Sequence, residues 1–269
     1  MSPDQTGIEQ ALAKTESDAT ATFKAATSVV ISVRRFQSAA KTGDLKALRS
    51  SLEATERAMT GLRQQFANAK DGWTFDEDSY LSSGLYAKEV LTTARGMGVN
   101  IYERDDRLYC YPALIRVSPA DKAVYIDKKR EGKVRPSVLV SRLKELQRKP
   151  PPFRLDAFLS ALFNAYTKVV AMEKQLRMDD APVIPLLDIY EMFTLLPGQA
   201  REYTKQEFGR DIYLLHRSDT RTTKSGEKVT FPFTGRMPVS RILTVIDEEG
   251  GIKQYYGVSF LPKEKEQQT

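Results

Sequence analysis

One cysteine, one histidine and one tryptophan are all that these 269 residues contain. With Cys110 alone, an internal disulfide framework and cysteine-rich zinc sites are excluded, and the single thiol suits a reducing cytoplasm. With His216 alone, histidine-rich metal sites are excluded within one chain, and any Cys–His or Ser–His pair must use that residue. His216 stands in "YLLHRSD", near the expected end of a helix, where a polar or cationic side chain satisfies terminal carbonyls. No apolar run approaches the roughly 18–20 residues of a membrane span. The start "MSPDQTGIEQ" lacks the basic n-region and apolar h-region of a signal peptide. Neither GxxxxGK[ST] nor GxGxxG occurs, so nucleotide hydrolysis is not expected. These absences together lead to an expected cytoplasmic protein with no cofactor, no resident metal and no membrane contact.

What remains is an ordinary globular composition, 41% hydrophobic and 28% charged, enough for a sizeable core. Three regions follow from the patterning. In residues 1–70 a stripe runs Ile8, Leu12, Thr15, Ala19, Thr22, Ala26, Val29, Val33, Phe36, Ala40. After the break "KTGDLK", with Gly43 as a stop and Asp44 as an N-cap, a second stripe runs Leu45, Leu48, Leu52, Thr55, Met59, Leu62, Phe66. Spacing by three and four puts one seam on each helix, and the short break makes them antiparallel neighbours. A helical hairpin of coiled-coil type is expected, facing either the protein's own core or, by self-association or docking, a protein partner.

Residues 71–150 read as a helix, "SYLSSGLYAKEVLTTARGMGV", then four short strands: "VNIYER", "RLYCYP", "ALIRVSP" and "AVYIDKK", with turns at "RDDR" and "SPADK". Residues 151–262, after the stiff "KPPPF", read as three helices followed by strands "KVTFPF", "RILTVID" and "IKQYYGVSFL", the last pair joined at "EEGG". Thr204 and Glu207 form a capping-box signature, and Phe208, Ile212 and Leu215 give that helix an apolar face. Three helices and a ribbon resemble the order of elements in a winged helix-turn-helix. The tail 263–269 reads as disordered. The expected class is thus mainly α with α+β units: an N-terminal hairpin, a central helix with a small antiparallel sheet, and a winged-helix-like C-terminal domain.

Charge is distributed unevenly. "KKREGKVRPSVLVSRLKELQRK", residues 128–149, holds nine basic and two acidic residues, a net +7 in a chain whose total is +6. Its first part, "DKKREGKVR", reads as a flexible basic loop. From Pro136 a helix is expected, with Leu139, Leu143 and Leu146 on one face and Arg135, Arg142 and Lys149 in a stripe beside it. Such a concentration of cations attracts polyanions, nucleic acid above all, and arginine adds bidentate phosphate contacts. Lys128, Lys129, Arg130, Lys133, Arg135, Arg142 and Lys149 are therefore the expected phosphate-binding residues. Lys205, Gln206 and Arg210, at the start of the capped helix, are the expected readers of base edges.

The expected function is non-catalytic: binding of nucleic acid, double-stranded DNA in particular, combined with partner docking. This would suit a subunit of a bacterial-type DNA-processing, chromosome-organising or defence assembly. Two alternatives stand beside it. The basic segment could meet an acidic protein, making the chain a structural assembly subunit. Or Asp127 and Lys129 in "DKK", with Asp106 upstream and Glu89 on the preceding helix, could serve a metal-dependent nuclease, which needs carboxylates for a divalent ion and a lysine near the attacking water.

Overall fold

The computed structural model describes residues 7–150, 153–173, 176–232 and 238–262. The chain divides into two compact units. One comprises Met1–Val90, Ser118–Lys122 and Lys133–Leu139; the other comprises Leu91–Val117, Ala123–Gly132 and Val140–Thr269. These boundaries differ from the divisions at 70 and 150 that composition suggests. Part of the reason lies in unit 1, where Lys122 binds Glu77 (2.5 Å) and Arg135 binds Glu9 (2.7 Å) and Glu16 (2.6 Å).

Unit 1 is built on helices α1 (Ile8–Thr42) and α2 (Leu45–Asp71), which pack as a hairpin. Gly43 takes the left-handed conformation that ends α1, and the Asp44 carboxylate accepts from Ala47 N–H at 2.9 Å to start α2. The seam follows the expected stripe of α1 only in part. Ile8 is buried and Leu12, Thr15, Thr22, Ala26, Val29 and Phe36 are half-buried, but Ala19, Val33 and Ala40 are exposed, and Ser32, Ala39 and Ser51 are the other buried residues of the pair. Small side chains let the two backbones approach, and each serine returns its hydroxyl to its own helix, Ser32 to Val29 and Ser51 to Ala47. On α2, Leu48, Thr55 and Leu62 are half-buried, but Leu45, Leu52, Met59 and Phe66 are exposed at 70, 47, 43 and 60%. Helices α3 (Glu77–Ser82) and α4 (Leu85–Gly96) follow, with Tyr80, Leu81, Tyr86, Ala87 and Val90 buried.

Unit 2 contains a five-stranded antiparallel sheet in chain order: β1 (Tyr102–Arg104), β2 (Arg107–Cys110), β3 (Ala113–Ser118), β4 (Ala123–Ile126) and β5 (Lys129–Glu131). The four expected strands are present. The fifth lies in "DKKREGKVR", expected as a flexible loop: Asp127 and Lys128 make a two-residue hairpin turn, and Val124, Tyr125 and Ile126 pair with Glu131, Arg130 and Lys129. Helix α5 (Pro136–Leu146) begins at the expected proline. Then come α6 (Leu155–Met172), β6 (Ile184–Pro185), α7 (Leu186–Phe193), α8 (Gln199–Glu202), α9 (Lys205–Arg217), β7 (Lys228–Thr230), β8 (Leu243–Ile246), β9 (Ile252–Tyr255) and β10 (Gly257–Leu261). "IKQYYGVSFL" is not one strand. It breaks at Tyr256, so that β9 pairs with β8 while β10 lies between β6 and β7.

Helix α9 is the centre of this unit. Its capping box forms, and Phe208, Ile212 and Leu215 are fully buried among Tyr166, Leu186, Ile189, Val258 and Phe260. The other faces are covered too, so every residue from Glu207 to Leu215 is buried. At Gly209 an added Cβ would stand 2.6 Å from Val245 Cγ1, so strand β8 lies directly on the helix. The turn 151–152 in "KPPPF", Arg236 in the expected ribbon and the tail 263–269 lie outside the described residues. No helix among the described residues is long and apolar enough to cross a membrane.

Candidate anion-binding interface

The geometry of the sheet places arginines in a row. At the β1–β2 turn, Asp105 and Asp106 both have positive φ (49° and 57°), and Arg104 pairs across to Arg107. Short aspartate side chains tolerate this left-handed geometry. In β2 and β3, Leu108 faces Ile115 and Tyr109 faces Leu114; one step along the same register sets Arg107 opposite Arg116. The Arg116 guanidinium lies 4.6 Å from the centre of the Tyr125 ring on β4, and Tyr125 pairs with Arg130 on β5. Since directly paired residues share a face, Arg104, Arg107, Arg116, Tyr125 and Arg130 form one line across five strands. At about 4.8 Å per strand the line is about 19 Å long. Tyr109 and Leu114, also on this face, belong to the core, so the apolar part of the face is covered and the cationic part is left at its end.

Like charges directly opposed across strands cost stability, and the row is only partly compensated. Arg104 has Asp105 at 3.4 Å. Arg107 is half-buried and makes no hydrogen bond or ion pair among the described residues. Burial, and next the neighbouring Arg116 charge, push the Arg107 guanidinium below its ordinary pKa, against the opposing charge of Glu207. Beside the pair lies a cavity of about 340 Å³, whose wall holds four cations, Arg107, Arg116, Lys128 and Arg201, and three carboxylates, Asp127, Glu202 and Glu207.

Beneath the turn of β4 and β5 lies a buried ionic cluster. Arg210, 6% exposed, binds Asp127 at 2.5 Å and Asp211 at 2.8 Å; Asp127 also accepts from Leu114 N–H at 3.1 Å, and Asp211 from the Tyr203 hydroxyl at 2.7 Å. Burial opposes the Arg210 charge, but Asp211 and Asp127 more than offset it and hold the guanidinium above its ordinary pKa. Burial dominates at Asp211 and raises its carboxyl. Lys128, with φ 72°, sits at the turn with Nζ 3.7 Å from Glu207 and 5.9 Å from the Tyr203 ring centre.

The expected site residues thus separate. Lys128, Lys129 and Arg130 are exposed at the tip and edge strand of the sheet, and Lys133 and Lys149 are exposed as well. Arg135 is not an open cation: Glu9 and Glu16 both hold it, and Glu9 also accepts from Ser137 N–H at 2.9 Å in the first turn of α5. Arg142 is ion-paired to the buried Glu131. Arg210 is buried in the cluster and presents nothing to a base edge; Lys205 is exposed and Gln206 half-buried. Of the carboxylates considered for a nuclease, Asp127 is bound by Arg210 and Asp106 is exposed in its turn, with Lys129 exposed on β5. Glu89 accepts from Ile8 and Glu9 N–H at 3.0 and 3.1 Å, capping α1 where Gly7 brings no side chain, and from the Tyr80 hydroxyl at 2.5 Å. Among the described residues no group of three or more His, Cys, Asp or Glu is placed to hold a metal ion. His216, in the last turn of α9, places Nδ1 3.0 Å from the Tyr255 hydroxyl.

Arg104, Arg107, Arg116 and Arg201 were not among the expected site residues. A signal for three of them is present in the sequence: 104 and 107 are symmetric about the "DD" turn, and 107 and 116 about Tyr111-Pro112, so hairpin pairing alone puts them in line. No protein-family model, curated protein or solved structure gives a significant match to this chain.

Proposed function

We propose that this protein is a non-catalytic nucleic-acid-binding subunit that holds the phosphate backbone of double-stranded DNA. The observation that carries the reading is the line of arginines across β1, β2, β3 and β5, continued by exposed Lys128 and Lys129. Lysines on an edge strand are often there to prevent pairing with another sheet. That purpose does not account for arginines on the interior strands β2 and β3. Recognition is of backbone rather than sequence, because α9 has no exposed face from Glu207 to Leu215 with which to enter a groove. The winged-helix order of α6, α7, α9 and a ribbon enters this reading only as a scaffold. Docking is the task of the helical hairpin, where Leu45, Leu52, Met59 and Phe66 are exposed at every seventh position of α2.

The test is an anisotropy titration of a short labelled duplex at low salt, comparing the wild type with a variant carrying Ala at Lys129, Arg130, Lys133 and Lys149. Micromolar or tighter binding, weakened at least tenfold in the variant, is expected. Equal binding by the two proteins, or none by either, would remove the reading. In the second case the basic surface would be assigned to an acidic protein partner.

A further inference from the structure

We infer that the cavity beside Arg107 and Arg116 is a binding site for a single phosphomonoester group. Three observations support it. The two guanidiniums stand opposite each other on adjacent strands, and among the described residues neither has a carboxylate within ion-pair distance. Of the three carboxylates in the cavity wall, two are engaged, Asp127 by Arg210 and Glu207 by Lys128 and by the backbone and hydroxyl of Thr204, and the third, Glu202, is exposed. Lys128, at the second position of the two-residue β4–β5 turn, lines the cavity, so the turn sets a third cation beside the pair.

The chemistry selects the ligand. Two adjacent guanidiniums with no ion pair among the described residues, only Glu207 acting on Arg107 from a longer distance and Tyr125 under Arg116, favour a ligand with more than one negative charge. A phosphomonoester carries about −1.5 to −2 at neutral pH and has three acceptor oxygens, whereas a backbone diester carries one charge. Each arginine presents a planar fork that matches two of those oxygens. The volume, about 340 Å³, lies at the small end of the range for small-molecule pockets, room for a phosphate and a modest attached group. The site shares Arg107 and Arg116 with the arginine line of the duplex reading, but the two fail separately: the duplex test removes Lys129, Arg130, Lys133 and Lys149, and this one removes Arg107 or Arg116. The monoester could come from a free small molecule or from a 5′-phosphorylated nucleic-acid end, and the same chemistry recognises both.

The experiment is calorimetric titration of the full chain with inorganic phosphate, adenosine 5′-monophosphate, adenosine, and a short single strand bearing either a 5′-phosphate or a 5′-hydroxyl. The variants are Arg107→Met and Arg116→Met, with Lys168→Ala, an exposed lysine of α6, as a control. Arg107 has no partner to lose, so Arg107→Met keeps the fold, and its unliganded melting temperature should equal or exceed that of the wild type. Binding of the monophosphate but not of adenosine is expected, lowered about ten- to hundred-fold in either methionine variant and unchanged in Lys168→Ala. Affinity should also fall as pH drops below about 6, where the second phosphate proton returns. Binding of the 5′-phosphorylated strand alone would support the same site with a nucleic-acid end as its source. No binding of any phosphate, or binding that survives both methionine variants, would overturn the inference.

Discussion

Arg210→Met removes one guanidinium and leaves two carboxylates where the protein offers little else to stabilise them. Asp211, 5% exposed, would keep only the Tyr203 hydroxyl at 2.7 Å, and Asp127 only the Leu114 N–H at 3.1 Å. Removing one partner of a buried ion pair costs about 3–5 kcal/mol, because the remaining charge stays desolvated. At about 2–4 °C per kcal/mol for a unit of this size, the melting temperature should fall by about 6–20 °C. The loss should depend on pH. Burial already raises the Asp211 carboxyl above its ordinary pKa, with the Arg210 charge opposing the rise. In the variant that opposition is gone, so the folded state takes up a proton at a higher pH than the unfolded state. Between the two pKa values the folded state binds more protons, and its stability falls as pH rises. Urea denaturation of both proteins from pH 4.5 to 8 is the assay. The deficit of the variant should be largest near neutral pH and shrink towards the acid end. A deficit below about 1 kcal/mol, or one that does not change with pH, would refute the claim that this cluster is a buried charge network.

Other consequences follow from single contacts. Glu89→Gln keeps the shape but loses the charge that caps α1 from a distance; a loss of about 1–2 kcal/mol is expected, with faster amide exchange at Ile8 and Glu9, and unchanged exchange there would discount the cap. Gly209→Ala drives a methyl into Val245 on β8 and should cost about 1–3 kcal/mol in urea unfolding; a neutral result would mean that the strand can move away. Burial pushes the Cys110 thiol up to about 12, so a thiol reagent at pH 8 should label the native protein far more slowly than the urea-unfolded one, and comparable rates would contradict its placement. Replacing Leu45, Leu52, Met59 and Phe66 with Gln should leave the helical signal intact, since the buried seam uses Ser32, Ala39 and Ser51; loss of helicity would show that those residues pack within the hairpin.

Local features were legible in the sequence. The Gly43 stop, the Asp44 cap, the Thr204–Glu207 capping box and the β8–β9 hairpin each depend on residues within a few positions of one another, and each forms. The apolar face of α9 could be read from Phe208, Ile212 and Leu215. The covering of its polar face could not, because Arg210 finds Asp127 across 83 residues of sequence. The hairpin seam was legible only in part: Ile8 is buried and Leu12, Val29, Phe36, Leu48 and Leu62 are half-buried as the spacing implies, but apolar spacing does not mark the serines and alanine that are buried where the helices close. The basic segment drew attention by density alone. Its most crowded part proved to be divided, with Arg135 and Arg142 held by carboxylates, while the arginines of β2 and β3 are scattered in sequence and aligned only by strand register.

The most direct test of the central claim is the salt dependence of duplex binding. Each phosphate contact contributes about 0.9 to the slope of log affinity against log salt concentration. The account predicts a steep wild-type slope, smaller by about 3–4 in the variant with Ala at Lys129, Arg130, Lys133 and Lys149. Identical slopes for the two proteins, or an affinity indifferent to salt, would contradict it.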